Sequence, residues 1–244
     1  MTDSRQQLAE RIRDARRLTI LTGAGVSAAS GVPTFRGADG LWRNVRPEEL
    51  ATADAFRRHP QLVWEWYAWR RSAIAGCAPN AAHEVIARWS QRPGCAVLTQ
   101  NVDDLHLRAG TRHLVRLHGS IWELKCWRVC GQPVWRDECV DAPGRPSVAD
   151  VPSCPACGGL ARPAVVWFGE ALDPADLDAA LAATACDVFL TVGTSAVVYP
   201  AAGLVTEARR RGAFTIEINP EATPASSAVD AVLREPAEVV LPLL

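Results

Sequence analysis

The chain has 244 residues, a formal net charge of −1 and an apolar fraction of 48%. This length suits one main domain that carries a smaller insertion, and the apolar content excludes extensive disorder. The near-zero net charge provides no overall basic excess for nucleic acid or for an anionic membrane. No apolar run approaches the roughly 18 residues of a membrane span. We therefore expect no nucleic-acid partner and no membrane association.

The first sixteen residues indicate an amphipathic helix, because Leu8, Ile12 and Ala15 are spaced to share one face. Acidic residues stand among the arginines, and no apolar stretch precedes them. This pattern predicts neither a secretory signal nor a transit peptide. Since paired cysteines suit a reducing compartment, we expect a cytoplasmic protein.

Short apolar segments alternate with helical patterns along the chain, as in an α/β fold. Each apolar segment lacks polar alternation, which is typical of strands buried on both faces. Helices are predicted at 79–89 and 174–185, and the second has Asp173 as N-cap and Pro174 in its first turn. We therefore predict a sheet with helices on both sides. Its strands are expected at residues 18–22, 95–99, 114–117, 187–192 and 214–218.

Two insertions interrupt this alternation. Residues 39–92 look helical and hold five of the nine tryptophans. Residues 121–163 are rich in Pro, Gly and Asp and cannot build a core alone, so they need a cross-link to stabilise them. We expect both to form a small domain against a main domain of residues 1–38, 93–120 and 164–244.

Polar or glycine residues follow each predicted strand. In open α/β sheets, ligands bind in the crevice at the carboxyl ends of the strands. The same composition also occurs in ordinary loops, so the pattern alone leaves both interpretations open. The residues concerned are Gly23, Ala24, Gly25, Gln100, Asn101, His118, Gly119, Gly193, Thr194, Ser195 and Asn219.

Residues 23–28 follow a predicted strand, precede a predicted helix and read G-x-G-x-x-A, a variant of the dinucleotide-binding fingerprint. Glycines there permit a tight turn and a close approach of backbone to a pyrophosphate. A dehydrogenase would show an acidic residue about twenty positions on to hold the ribose. This chain instead has a Gly- and Pro-rich loop containing Phe35 and Arg36. That loop could fold over a cofactor or serve only as a connector.

Four cysteines fall into two tight pairs that are separated by 23 residues. Thiolates at such spacings can close a tetrahedral zinc site. Four sulfur ligands leave no open position for water, so the zinc would be structural. The predicted ligands are Cys126, Cys130, Cys154 and Cys157, whereas Cys139 lies between the pairs without a partner.

Together these motifs resemble the sirtuin family in identity and order, over nearly the whole chain from about residue 16 to 240. Sirtuins are NAD-dependent protein lysine deacylases, with a Rossmann-like large domain and a small domain that includes a zinc module. The three-residue spacing of the first cysteine pair departs from the family's usual two. The matching runs are GAGVSAASGVPTFRG (23–37), TQNVDDLH (99–106), HGS (118–120), VVWFGE (165–170), GTS (193–195) and IN (218–219).

The resemblance implies a role for each motif. His118 would be the catalytic base, because imidazole has a pKa close to neutral pH, with Asn101 and Asp103 beside it. The products would be nicotinamide, free lysine and O-acyl-ADP-ribose. The other histidines are taken as ordinary structural ones. The residues implied to bind NAD are Gly23, Ala24, Gly25, Ser27, Phe35, Arg36, Gln100, Asn101, Asp103, Gly193, Thr194, Ser195, Asn219 and Ala237. The residues implied to pair with a substrate peptide as a strand are Val165, Val166, Phe168, Gly169 and Glu170.

Tyr67 and Arg70 share a face if residues 64–71 are helical, and together they can bind a carboxylate. This Tyr-x-x-Arg pattern resembles class III sirtuins, which remove succinyl, malonyl and glutaryl groups. Ala51 matches the small residue that leaves room for the acid end of the acyl chain in that class. From spacing alone, Arg70 could equally be a solvated surface arginine and Tyr67 a core residue.

The sequence thus predicts a monomeric enzyme that acts on acyl-lysine proteins or peptides, with NAD as co-substrate and one structural Zn²⁺. A deacetylase or a mono-ADP-ribosyltransferase of the same fold is the nearest alternative. A non-catalytic module that reads acylated proteins is the other, although His118, Asn101 and Asp103 argue against it.

Overall fold

The computed structural model describes residues 4–33, 47–137 and 151–244. Within these ranges, six strands form a parallel sheet and three form a smaller antiparallel sheet. In chain order the strands are β1 (Leu18–Thr22), β2 (Cys95–Thr99), β3 (Leu114–Arg116), β4 (Gly119–Cys126), β5 (Trp135–Arg136), β6 (Ala161–Val165), β7 (Val188–Val192), β8 (Phe214–Ile218) and β9 (Ala231–Leu233).

The large sheet has the order β3-β2-β1-β7-β8-β9, and the small one has the order β5-β4-β6. Since the chain leaves β1 in one direction and later returns to β7 on its other side, the sheet has a topological switch point between these strands. Ligands bind at such points, outside the carboxyl ends of the strands. The five predicted strands are confirmed, although β3 ends one residue earlier and β7 begins one residue later than predicted.

Helices cover both faces of the large sheet, as predicted. Side chains alternate across a strand, so Ile20 of β1 packs in one core with Leu8, whereas Leu21 packs in a second core with Phe189. The helices are α1 (Arg5–Asp14), α2 (Pro47–Leu50), α3 (Ala53–Arg58), α4 (Pro60–Ala75), α5 (Ala81–Trp89), α6 (Leu105–Arg108), α7 (Pro174–Ala183), α8 (Leu204–Arg210) and α9 (Ala237–Val240). Short 3₁₀ segments cover Ala24–Ser30, Ala201–Gly203 and Leu241–Leu243.

Local capping explains where two of the helices begin. Ser4 and Gln7 form a capping box at the start of α1, and Leu8 and Ile12 are buried on its inner face. At α7, the Asp173 carboxylate accepts hydrogen bonds from two backbone amides of the first turn, which confirms the predicted N-cap. Among the described residues, no helix is long and apolar enough to cross a membrane.

A third core lies between α4 and the small sheet. It contains Trp64 and Trp66 from the helix together with Trp122 and Trp167, all of them buried. The indole nitrogen Nε1 of Trp64 donates to the carbonyl oxygen of Ala161 in β6 at 3.0 Å. The two predicted insertions therefore pack against each other, and Trp167 of the main domain joins the same core.

Candidate active site

The loops that follow four strands of the large sheet meet at its carboxyl edge. Thr194 is their common partner, since its hydroxyl accepts from the side-chain amide of Gln100 at 2.9 Å and its carbonyl accepts from that of Asn219 at 2.8 Å. The amide of Gly25 donates to the carbonyl of Gly193 at 2.8 Å. The structure thus brings together residues that the sequence assigned to NAD.

Glycine is required where these loops cross. A Cβ atom on Gly25 would lie 2.7 Å from the carbonyl oxygen of Gly193, and one on Gly193 would lie 2.4 Å from the amide nitrogen of Val26. Gly193 also has a φ of +58°, in the left-handed region. Two contacting glycine backbones leave the side-chain-free surface that a pyrophosphate requires, so the site fits NAD.

The helix predicted after this turn is a 3₁₀ helix, Ala24–Ser30, and not an α-helix. Small residues fill the segment, and its first turn is held by the close contact with Gly193. The predicted cofactor residues Phe35 and Arg36 lie outside the described residues, as does Cys139.

Asn101 and Asp103 are connected through one buried hydroxyl. The side-chain amide of Asn101 donates to Ser27 Oγ at 3.2 Å and to the carbonyl of Gly23 at 3.1 Å. Ser27 Oγ donates in turn to Asp103 Oδ2 at 2.7 Å. Burial raises the pKa of Asp103, and hydrogen bonds from Leu105 and Ser27 partly offset that effect. The three predicted NAD-binding residues therefore form one connected polar cluster.

Two buried histidines, which sequence reasoning treated as ordinary structural residues, extend this cluster. His83 Nδ1 accepts from the backbone amide of Asn80 at 3.3 Å, so Nε2 carries the proton and faces Ser27 Oγ at 3.3 Å. His106 Nε2 lies 2.9 Å from the hydroxyl of Thr22. Burial lowers the pKa of His83 to about 4 and that of His106 to about 3, so both are neutral at pH 7. Sequence reasoning predicted neither contact of His83, although Asn80, three residues before it, is a favoured N-cap residue.

His118 follows β3 and has a defined proton arrangement. Its Nδ1 lies 3.0 Å from the backbone carbonyl of Gln100, which can only accept, so the proton resides on Nδ1. Burial lowers the pKa of His118, with the hydrogen bond to Gln100 acting in the opposite direction. A neutral ring with an available Nε2 lone pair is the form that a general base requires.

Residues 166–168 join the catalytic and acyl-binding candidates. The Val166 amide donates to the carbonyl of His118 at 3.0 Å, and the Phe168 amide donates to the carbonyl of Ala51 at 2.9 Å. Between them, Trp167 Nε1 donates to the hydroxyl of Tyr67 at 2.8 Å. Sequence reasoning did not select Trp167, because nothing in its motif distinguished the buried position from its neighbours.

The segment proposed to pair with a peptide is a loop after its first residue. Val165 ends β6 and pairs with Gly119, while Phe168 and Gly169 are exposed. The Glu170 carboxylate accepts from the guanidinium of Arg162 and from the amide of Trp167, the latter at 3.0 Å. Burial opposes ionisation of Glu170, but these hydrogen bonds outweigh it and lower its pKa. The loop is therefore anchored at its base and open at its tip.

Arg70 and Tyr67 are both buried on α4, so the alternative of a solvated surface arginine at position 70 is wrong. Arg70 is 8% exposed, and its guanidinium lies 5.2 Å from the ring of Trp66. Burial lowers the pKa of Arg70 and raises that of Tyr67 to about 12. Arg71 is also buried and forms an ion pair with Asp137 at 2.5 Å. The helix therefore carries two adjacent interior arginines with different neighbours.

The four predicted cysteine ligands converge, with all sulfur atoms within 4.8 Å of one another. Two sulfur–sulfur distances, Cys126 to Cys157 and Cys130 to Cys154, are 3.7 and 3.6 Å. A tetrahedral zinc with bonds of about 2.3 Å has sulfur–sulfur edges of about 3.8 Å. The cluster thus fits Zn²⁺. The longer spacing of the first pair is accommodated by Val129, which is 86% exposed and has a φ of +52°.

Known proteins are similar to this chain in sequence and in fold. The chain is 47% identical over 230 residues to the NAD-dependent protein deacylase Sir2 of Mycolicibacterium smegmatis, which covers 93% of this chain and 95% of the relative. It is 47% identical over 226 residues to an NAD-dependent protein deacylase of Aquifex aeolicus, with 92% of each chain covered.

Solved structures agree. A Sir2 homologue in complex with NAD superposes with a TM-score of 0.90 at 44% identity, covering 98% of this chain and 92% of that one. A Sir2–p53 peptide–NAD⁺ complex superposes with a TM-score of 0.85 at 29% identity, covering 99% of this chain and 97% of that one. The Sir2 family model matches residues 23–200. The chain belongs to the Sir2 family.

Proposed function

We propose that this Sir2-family protein, an NAD-dependent protein deacylase, prefers acyl-lysines whose acyl group ends in a carboxylate, such as succinyl- or malonyl-lysine. The reaction would release nicotinamide and O-acyl-ADP-ribose. The observation that carries this preference is the buried pair of Tyr67 and Arg70 beside the Trp167 segment that also contacts His118.

The acyl preference follows from charge and burial. A succinyl carboxylate that reached Arg70 and Tyr67 would form charge-assisted hydrogen bonds, each contributing about 1.5–3 kcal/mol. An acetyl group cannot form them. Two such bonds would favour the acidic acyl group by one to several powers of ten. Ala51 presents only a methyl group at the neighbouring position, which leaves room for the longer acyl chain.

His118 would be the general base. NAD supplies the ADP-ribosyl group that receives the acyl group. In the tautomer set by Gln100, His118 Nε2 would take a proton from a ribose hydroxyl of bound NAD. Asn101 and Asp103, fixed through Ser27, would orient the groups around that hydroxyl.

The remaining cofactor residues would hold the rest of NAD along the crossing loops. Gly23 and Gly25 would face the pyrophosphate, and the loop that contains Thr194 would contact the adenosine side with Asn219. Ala24 and Ser195 flank those contacts, and Ala237, which is buried at the start of α9, would support them. The four cysteines would hold a structural zinc that takes no part in the chemistry.

The exposed tip of the 166–170 loop would receive the substrate peptide. Phe168 and Gly169 are exposed there, and main-chain pairing gives affinity with little demand on sequence. We further propose that the enzyme acts as a monomer in the cytoplasm without nucleic-acid partners. A net charge of −1 and a cluster of reduced cysteines support this setting.

Mass spectrometry of paired succinyl-lysine and acetyl-lysine peptides, with and without NAD, tests the proposal. We expect NAD-dependent loss of succinyl with O-succinyl-ADP-ribose as product, and slower loss of acetyl. Arg70→Met should reduce desuccinylation at least about tenfold, because it removes a charge-assisted bond, and should change deacetylation little. Arg71→Met is the matched control, since Arg71 is a similarly buried arginine on the same helix whose guanidinium pairs with Asp137.

Arg71→Met should affect both substrates alike, through stability alone. Equal losses on the two substrates in Arg70→Met would contradict the carboxylate pocket. Faster removal of acetyl by the unaltered enzyme would assign it as a deacetylase. ADP-ribosylated peptide in place of deacylated peptide would instead establish the transferase alternative.

A further inference from the structure

Glu217 is a buried carboxylate on β8, beside the edge strand β9 of the large sheet, and the proposed reaction does not use it. It lies on β8 between Ile216 and Ile218, which enter the core, and is only 2% exposed. Burying an ionised carboxylate is unfavourable unless charged or polar partners compensate it. Its partners therefore indicate what the residue does.

Among the described residues, three side chains bond to Glu217, and each of them lies in the segment that follows β8. Arg234 Nη1 donates to Oε1 at 2.7 Å. Ser226 Oγ lies 2.9 and 3.0 Å from the two carboxylate oxygens, and Thr223 Oγ1 donates to Oε2 at 3.0 Å. The Glu217 carboxylate thus accepts hydrogen bonds from three separate positions within residues 219–234.

These contacts lead to the crossing loops of the cofactor site. Arg234 Nη1 also donates to the carbonyl of Glu221 at 2.8 Å. The backbone amide of Asn219 donates to the carbonyl of Leu233 at 3.1 Å, which closes the segment on itself. The side-chain amide of Asn219 then reaches the carbonyl of Thr194. Glu217 is therefore connected to both residues that we placed at the adenosine side.

Regular structure does not fix this segment. Residues 219–230 contain neither helix nor strand, so side-chain hydrogen bonds hold their backbone together with a few turn contacts, such as the Ser226 amide to the Thr223 carbonyl at 3.0 Å. A buried ion pair is also a weak source of stability compared with apolar side chains of similar volume. The contacts of Glu217 therefore serve to hold this segment in one conformation.

We propose that Glu217 is a positioning residue for the adenosine end of NAD, because its carboxylate fixes residues 219–234 and thereby the amide of Asn219. This inference rests on the proposed function, since it takes Asn219 and Thr194 as cofactor contacts. It predicts that Glu217 affects NAD binding and leaves the chemical step alone.

Asp230 provides a matched control within the same segment. Its Oδ2 accepts from the amide of Thr215 at 2.8 Å and from the Thr215 hydroxyl at 2.7 Å. Thr215 stands at the amino end of β8, whereas cofactor residues gather at the carboxyl end. Asp230 thus anchors the segment at the edge of the sheet away from the cofactor site.

The test compares Glu217→Gln with Asp230→Asn in steady-state kinetics and in calorimetric binding of ADP-ribose. For Glu217→Gln we expect the KM for NAD and the Kd for ADP-ribose to rise about tenfold, the equivalent of losing one charge-assisted contact. The kcat and the KM for the acyl peptide should stay within about twofold. Asp230→Asn should leave all four quantities near those of the unaltered enzyme.

Unchanged NAD KM and ADP-ribose Kd in a folded Glu217→Gln protein would overturn the inference, as would equal changes in Asp230→Asn. If Glu217→Gln does not fold, Ser226→Ala decides the matter, because it removes the hydroxyl that donates to the carboxylate without leaving a charge unpaired. A rise in the Kd for ADP-ribose supports the inference, and no rise overturns it. Failure of the unaltered enzyme to deacylate would refute the proposed function. The Kd for ADP-ribose would still test whether Glu217 positions the adenosine-binding residues.

Discussion

At the scale of single residues, His118 owes its chemical state to burial and to one carbonyl group. Burial lowers its pKa below the ordinary 6.5, and Gln100 fixes the proton on Nδ1. A base with a lowered pKa stays neutral at pH 7 and becomes protonated only as the pH falls below that ordinary value. We therefore expect kcat to be flat from pH 7 to 8 and its acidic half-point to lie below 6.5. A profile of kcat against pH from 5 to 8 measures it.

A half-point at or above pH 6.5 would contradict this account of His118. The variant His118→Ala should abolish turnover while the fold is retained, and full residual activity would remove the residue from its role. His59→Ala is the control, because His59 is exposed and precedes α4 without a side-chain cap.

The sequence predicted which residues form the site better than it predicted how far they are buried. The spacing of Tyr67 and Arg70 placed them on one face of a helix, but burial of Arg70 depends on Trp66 and on the core beneath α4. Sequence could not show that Trp167 bonds to Tyr67, since these residues are 100 positions apart. Contacts of that range depend on the completed fold.

At the scale of elements, five of the six strands of the large sheet were predictable because they are continuous apolar runs. The small sheet was not. In β6, Arg162 and Pro163 are poor strand residues, and the strand forms because β4 pairs with it and because Arg162 is buried against Glu170. The short strand β9 likewise depends on pairing with β8. Tertiary pairing overrides weak local propensity in both cases.

The zinc module links the elements that propensity alone does not support. Cys126 ends β4, and Cys154 precedes β6 with its backbone amide bonded to Gly159 at 2.7 Å. Because structural zinc sites contribute folding energy directly, we expect one zinc per chain and a fall in Tm on the order of 10 °C after chelation. Elemental analysis and thermal melts test this. Cys154→Ser should behave like the chelated protein.

Cys77→Ser is the matched control for that experiment. Cys77 is buried but lies outside the cluster, and its thiol bonds to the carbonyl of Ala73, a contact that serine retains. Full zinc content with an unchanged melt is expected for this variant. A Cys154→Ser protein that kept its zinc and its Tm would disprove the four-cysteine site.

At the scale of the whole molecule, three cores suggest how the chain is divided. Two flank the large sheet, and the third lies between α4 and the small sheet. We propose that residues 1–38, 93–120 and 164–244 act as the NAD-binding domain, with 39–92 and 121–163 as the small domain. Val32 and Leu105 belong to the third core, so the domains share apolar contacts beside the active site.

Charged contacts also cross between the two sheets. Arg116 of β3 donates to both carboxylate oxygens of Glu123 in β4, at 2.8 and 3.1 Å, and lies 3.5 Å from Asp104. Asp104 is buried and accepts from the hydroxyl of Ser120 at 2.9 Å. The pair of Arg116 and Glu123 is about three-quarters buried, which shields it from solvent far more than a surface ion pair.

A double-mutant cycle measures what this connection contributes. We expect Arg116→Met and Glu123→Gln each to lower the free energy of unfolding by about 1–2 kcal/mol, with a coupling energy above about 0.5 kcal/mol. The exposed helical pair of Arg57 and Asp54 should show a smaller coupling, because solvent screens it. Urea unfolding of the four proteins in each cycle supplies the numbers. A coupling no larger between Arg116 and Glu123 than in the control pair would show that apolar packing alone holds the two sheets together.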